Sequence, residues 1–254
     1  MILRRVIEHF KKQEWTAIAL DFLIVVAGVF LANQVTTWKD EAALSKRKAA
    51  AVERLHDESE AIVDYAAERV AFFEKNDATV ADALGRLASG DIASADPAAM
   101  GAALDTLGLA PAAAPPRSAY DELIGAGLFA DIGDAQLRAA IADYYAYLSF
   151  AQAQIDYVRQ AITAESAQRR FAGMRRVYDR DAFRRSSLVV DLPALAADPD
   201  FLDYAVGLNA IQMAQLQWWS ILLVRAKTAC AEIARFDGRP CAPKTPGDGE
   251  AGEP

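Results

Sequence analysis

The longest apolar stretch sets the frame. Residues 22–31 (FLIVVAGVFL) are apolar without a break, and no charge occurs from residue 22 to residue 38. A helix of ~20 such residues spans the ~30 Å hydrocarbon core of a bilayer. Trp15 and Trp38 stand at its two ends, where amphipathic rings settle at the headgroup interfaces. This pattern predicts a transmembrane helix over residues 15–38. No Gly or Pro occurs between Gly28 and Gly85, so the helix is expected to run on to about Leu87, a rod of roughly 80 Å. Beyond the span, Val52, Leu55, Ile62, Ala66, Val70, Phe73, Val80, Leu84 and Leu87 recur at spacings of three, four or seven, an apolar stripe for bundle or coiled-coil packing.

Two further long helices follow from the same periodicity. One is expected over 135–176, capped by Asp134, with Leu137, Ile141, Tyr144, Leu148, Ile155, Val158 and Ile162 as its seam. Tyr144, Tyr145, Tyr147, Phe150 and Tyr157 on it read as an aromatic-rich core rather than a ligand box. The other starts at Asp198-Pro199 and runs to about Phe236, with Phe201, Leu208, Ile211, Leu222, Ala226 and Ile233 on one face and Gln215 interrupting it. Between the first two lie a short helix over 97–107, capped by Asp96 ahead of a first-turn proline, and a Pro-rich connector over 110–117. A second short helix opens on a Ser118/Asp121 capping box. The expected fold is therefore all-α. The N-terminal transmembrane helix continues into an elongated antiparallel bundle of three long helices, with short crossover helices. Residues 1–14 form an amphipathic segment suited to the headgroup plane, residues 39–240 the bundle, and residues 241–254 a disordered acidic tail.

Charge narrows the function classes. The net charge is -8; residues 1–38 carry +1, leaving -9 for the rest. An acidic exterior argues against a nucleic-acid partner, which requires a basic face. The N-terminus resembles a signal peptide in its basic start, but the apolar core is too long and bulky Phe30 occupies the position where a cleavage site ending at Ala32 needs a small residue. An uncleaved anchor fits better. Flanking charges nearly balance, with Arg4, Arg5, Lys11 and Lys12 before the span and Lys39, Lys46, Arg47, Lys48 and Arg54 after it. Only 14 residues precede the span, which favours a cytoplasmic N-terminus and a periplasmic C-terminal domain in a bacterial inner membrane. Cys230 and Cys241 flank the end of the last helix and suit a disulfide, which persists in such a compartment; two separate buried thiols are the alternative.

Candidate contacts are few. Asp21 is a costly acid inside the span, and Gly28 and Ala32 form a small-xxx-small pair that lets another helix approach; these three are the candidate membrane-helix contacts. Arg169, Arg170, Arg175, Arg176, Arg180, Arg184 and Arg185 form the one basic cluster. They suit an anionic ligand or acidic partner, or else a solvated helix end paired with Asp179, Asp181 and Glu165. His56-Asp57-Glu58 reads as solvated surface. No phosphate loop, GxSxG elbow or HExxH helix occurs, and the two histidines, His9 and His56, suggest neither a triad nor a zinc cluster. No catalytic residue, metal or cofactor is expected.

Two stretches resemble a family of bacterial single-pass membrane proteins of uncharacterised function. In residues 19–42 the matching features are Asp21, Gly28, Gln34 and Trp38. In residues 118–145 they are Ser118, Tyr120, Leu123, Gly127, Leu137, Tyr144 and Tyr145. Thr37 departs from the Asn often found at the span's exit. The resemblance covers about a fifth of the chain and implies an anchored helical domain without implying a reaction. The expected function class is a non-enzymatic, membrane-tethered interaction or scaffold domain, whose partners are the bilayer and a membrane protein or a second copy of the chain. The competing class is a ligand-sensing domain acting through a separate membrane partner.

Overall fold

The computed structural model describes residues 15–166, 170–181 and 185–244. The chain divides into two compact units, residues 1–51 and residues 52–254. Helix α1, Trp15–Ser89, contributes to both. The fold is mainly α, as the periodicity predicts.

In the first unit α1 is long and apolar enough to cross a membrane. Its large side chains lie open: Phe22 is 67% exposed, and Leu23, Ile24, Phe30 and Leu31 are similar. The two threonines of the polar exit bond within the helix. Thr36 donates its hydroxyl to the Ala32 carbonyl at 2.9 Å and Thr37 to that of Asn33 at 3.0 Å, the back-bonding open to hydroxyl side chains on a helix.

In the second unit α1 continues from Val52 and ends at Ser89, where Gly90 adopts a left-handed φ of 72°. The following elements are α2 (Pro97–Asp105), α3 (Ser118–Gly125), a 3-10 turn (Phe129–Asp131) and α4 (Ala135–Ser166). Strands β1 (Met174–Tyr178) and β2 (Ser186–Val190) come next, then α5 (Leu192–Ala196) and α6 (Pro199–Asp237). Local chemistry sets most ends. Asp96 accepts from the Ala98 N–H, Asp134 from that of Leu137, and Asp198 from those of Asp200 and Phe201. A left-handed Gly238 closes α6.

Helices α4 and α6 pack against each other. Gln136 donates to Glu232 and Arg235 to Asp134, each at 2.7 Å, and Arg225 pairs with Asp143. Positions rise along α4 as they fall along α6, so the two run antiparallel. Helix α1 also meets α6: the Tyr65 and Trp219 rings pack edge to face at 5.8 Å. Gln212 and Gln215, polar positions in the α6 seam, are buried; their amides donate to the Thr106 and Leu109 carbonyls at 2.7 and 3.3 Å, while their side-chain oxygens have no hydrogen-bond partner among the described residues. A further core cluster joins Val80, Ala83 and Leu87 of α1 to Leu104, Leu195, Phe201 and Ala205.

Four expectations are corrected. The second long helix stops at Ser166, and β1 and β2 form an antiparallel hairpin in register Met174↔Val190 and Val177↔Ser187. The fold is therefore not purely α. Val177, Tyr178, Val189 and Val190 favour a pleated surface. Glycine permits two tight approaches: a Cβ on Gly101 would lie 2.4 Å from the Leu188 carbonyl oxygen, and one on Gly173 would lie 2.8 Å from the Leu195 side chain. Second, the Ser118/Asp121 capping box does not form. Asp121 is held by Arg117, and Ser118 donates to Glu58 at 3.0 Å. Third, His56 and Glu58 are buried, at 0% and 7% exposure; of that triplet Asp57 alone faces solvent. Fourth, the aromatic seam is buried at Tyr144 and Tyr145, whereas Phe150 and Tyr157 are exposed.

Candidate functional site

The hairpin gathers the basic cluster. Arg175 and Arg176 lie on β1, and Arg170 precedes it. Arg180 and Arg185 sit at its turn, where the Asp179 N–H donates to the Arg185 carbonyl at 3.1 Å and Arg185 takes a φ of 53°. Arg169 and Arg184 lie outside the described residues. Arg176 pairs with Asp105 at 2.5 Å. Among the described residues Arg175, Arg180 and Arg185 have no ion-pair partner, and all three are exposed. The Asp179 carboxylate is occupied by the Asp181 backbone N–H at 3.1 Å.

Beneath these arginines the second unit opens a half-enclosed cleft of about 570 Å³. Its floor is apolar: Leu104, Phe201, Ala205 and Leu208 are buried there. Phe171 forms one wall, edge to face with Phe201 at 5.3 Å and tilted on Tyr204 at 5.5 Å. Arg170, Arg175 and Arg176 line the same cleft. The close contacts at Gly101 and Gly173 hold the hairpin against α2 and α5, so the cleft is fixed by packing. Its volume and composition match small-molecule sites, which are mostly apolar with a few placed polar groups.

The other candidate residues lie elsewhere. Asp21, Gly28 and Ala32 are exposed in the first unit, and at 100° per residue the three fall within about 40° of arc on one side of α1. A Cβ on Gly28 would meet nothing within 4 Å. Cys230 and Cys241 are joined by a disulfide with Cα atoms 5.8 Å apart.

Among the described residues two buried ionisable side chains, Glu58 and His56, stand outside the expected set. Glu58 accepts from the Ser118 hydroxyl at 3.0 Å and from the backbone N–H groups of Ala119 and Tyr120 at 2.7 and 3.2 Å. The Tyr145 hydroxyl donates to it at 3.0 Å. A carboxylate has about four acceptor sites, and all are used. Three of those donors come from the first turn of α3, whose orphan N–H groups and positive dipole end suit an anion. Burial first, then the nearby Glu58 charge, pushes the Tyr145 and Tyr144 hydroxyls well above the ordinary tyrosine range. The sequence holds a signal for this: Glu58 is three residues after Leu55 and four before Ile62, squarely on the apolar stripe.

His56 is surrounded by acceptors. Its Nδ1 meets Asp237 at 2.7 Å, and its Nε2 meets Glu60 at 3.2 Å and the Pro240 carbonyl at 3.3 Å. Glu60 also accepts the Ala242 N–H at 2.9 Å, and Arg239 pairs with Asp57. With the disulfide, these contacts clamp residues 237–242 to α1. Among the described residues no group of three or more His, Cys, Asp or Glu side chains is placed to hold a metal ion. The chain matches no family model, no curated protein and no solved structure.

Proposed function

We propose that this chain is a membrane-anchored, non-enzymatic binding and scaffold domain. Residues 15–38 span a bacterial inner membrane, the N-terminus lies in the cytoplasm, and the second unit works in the periplasm as a bundle built on α1, α4 and α6. The observation that carries this reading is the open apolar surface of α1 in the first unit, a stretch suited to hydrocarbon. The Cys230–Cys241 bridge supports an oxidising compartment. A binding rather than catalytic role is supported by Glu58 and His56, which direct their polar atoms to partners that hold the fold. The two stretches that resemble single-pass membrane proteins belong to the same reading. Reporter fusions after Pro254 test it: a periplasm-dependent enzyme should be active there and a cytoplasm-dependent one silent. The opposite pattern overturns the orientation.

A second reading is favoured by the arginine-lined cleft. Here the domain senses a ligand and signals through a separate membrane protein that meets Asp21, Gly28 and Ala32. A stoichiometric membrane partner recovered in mild detergent supports sensing, whereas recovery of the chain alone or as a homo-oligomer supports a self-contained scaffold.

A further inference from the structure

We infer that the cleft between α2, the hairpin and the start of α6 binds a single-chain anionic amphiphile, an acyl or alkyl tail ended by a carboxylate or phosphate. The inference rests on the second unit being a binding domain and deepens that reading by naming the ligand class. Three observations converge on it. The floor at Leu104, Phe201 and Leu208 is apolar and buried, and Phe171 and Tyr204 offer flat ring surfaces beside it. An apolar surface of this kind takes a tail and gives a charged head nothing. Arg175 supplies what the head needs, because it lines the cleft, is exposed and has no ion-pair partner among the described residues. Arginine's planar fork matches carboxylate and phosphate oxygens in pairs. Third, Arg176 is held by Asp105 at 2.5 Å, which leaves Arg175 as the guanidinium at the cleft open to an anion. In a chain of net charge -8, this concentration of arginine over an apolar cleft selects anions locally against the overall field.

A purely polar anion would leave the floor wet, and a neutral lipid would leave Arg175 without a partner. The amphiphile meets both demands at once. Its head lies at Arg175 and its tail runs under Phe171 toward Leu104 and Leu208. The carboxylate and phosphate forms share this chemistry and differ in source, a free fatty acid against a lipid-derived phosphomonoester.

The test uses the full chain in phosphatidylcholine nanodiscs, with empty nanodiscs subtracted and binding followed by calorimetry. Octanoate and octyl phosphate serve as probes, octanol as the uncharged control and inorganic phosphate as the tail-less control. Saturable binding of both octyl anions at one per chain is expected, with octanol and inorganic phosphate each at least tenfold weaker. Arg175→Glu should weaken the anions at least tenfold and leave octanol unchanged. Leu107→Trp, which places a larger ring in the lining, should weaken every alkyl ligand. Whichever octyl anion binds more tightly identifies the source. The inference is overturned by no binding above empty discs, by octanol or inorganic phosphate matching octyl phosphate, or by anion affinity indifferent to Arg175→Glu in protein that unfolds at the wild-type temperature. Should Arg175→Glu fold poorly, Arg175→Gln gives the same reading with at least a fivefold loss. Inverted reporter topology leaves these outcomes untouched, and failed amphiphile binding leaves the anchor and its orientation untouched.

Discussion

Glu58 accepts the backbone N–H of Ala119 at 2.7 Å across 61 residues of chain, so a side chain of one helix caps the start of another. Removing it strips partners from two backbone N–H groups and two hydroxyls. A lost cap costs about 1 kcal/mol and each buried group left unsatisfied about 1–3 kcal/mol, with some rescue by water. Glu58→Ala should therefore destabilise the domain by about 3–5 kcal/mol in denaturant unfolding followed by tryptophan fluorescence. Glu58→Gln, which keeps one acceptor oxygen, should cost less, and Tyr145→Phe only about 1 kcal/mol. A loss below 1 kcal/mol for Glu58→Ala would falsify the trans-cap.

Alkaline pH should reveal the same site. The Tyr144 and Tyr145 hydroxyls are held above their ordinary range, chiefly by burial. A group whose folded pKa is raised contributes stability that is fully present below the unfolded value. That contribution is lost as pH climbs from about 10 toward the folded value, because the unfolded chain releases the protons first. Two of the eight tyrosines should thus stay un-ionised in an absorbance titration until the fold opens. In denaturant all eight should titrate together near pH 10. Native protein in which all eight ionise together contradicts this burial.

Helix starts were legible because their causes are local. Asp96-Pro97, Asp134 and Asp198-Pro199 each carry the cap beside the helix they open, and Gly90 and Gly238 mark ends. The hairpin was not, because arginine is a good helix former and the run through 169–176 extended the helical pattern. The decisive contacts, Gly101 under Leu188 and Gly173 beside Leu195, join residues distant in sequence. Ser118 departs from its local cap for the same reason. Its local partner Asp121 competes with a Glu58 carboxylate that sequence spacing alone could not place beside it. The cleft combines both cases: its arginines were visible as a cluster, and its apolar floor came into view only with the hairpin.

The disulfide ties a buried Cys230 to a half-buried Cys241. Residues 230 and 241 close a loop of 11 positions, worth about 3 kcal/mol on chain-entropy grounds. Cys241→Ser should lower unfolding free energy by about that amount and expose the Cys230 thiol to alkylation after unfolding. Wild-type protein, unfolded without reductant, should take up no alkylating agent; two labelled thiols would refute the bridge.

Gly28→Leu separates contacts within the chain from contacts outside it. Among the described residues nothing beyond its own helix lies within 4 Å of a Cβ at Gly28, so the substitution should leave domain stability unchanged. If another helix packs there, recovery of that partner in mild detergent should fall severalfold. Asp21→Leu should improve insertion, since an acid in the span costs ~2.5 kcal/mol or more, while also reducing partner recovery. Unchanged recovery in both variants would leave this side of α1 facing lipid.

The clamp on residues 237–242 has a temporal consequence. His56 meets Asp237 across 181 residues of chain, so a contact begun at residue 56 is completed only once residue 237 has been made. Translation at ~5–20 residues per second places roughly 10–40 s between the emergence of those two positions. Until α6 is made, Tyr65 of α1 lacks the Trp219 ring it packs against, and Val80, Ala83 and Leu87 lack Phe201 and Ala205. High sequence separation of this kind slows folding and prolongs exposure of apolar surface. That part of the α1 surface therefore stays open in the nascent domain until α6 has been made.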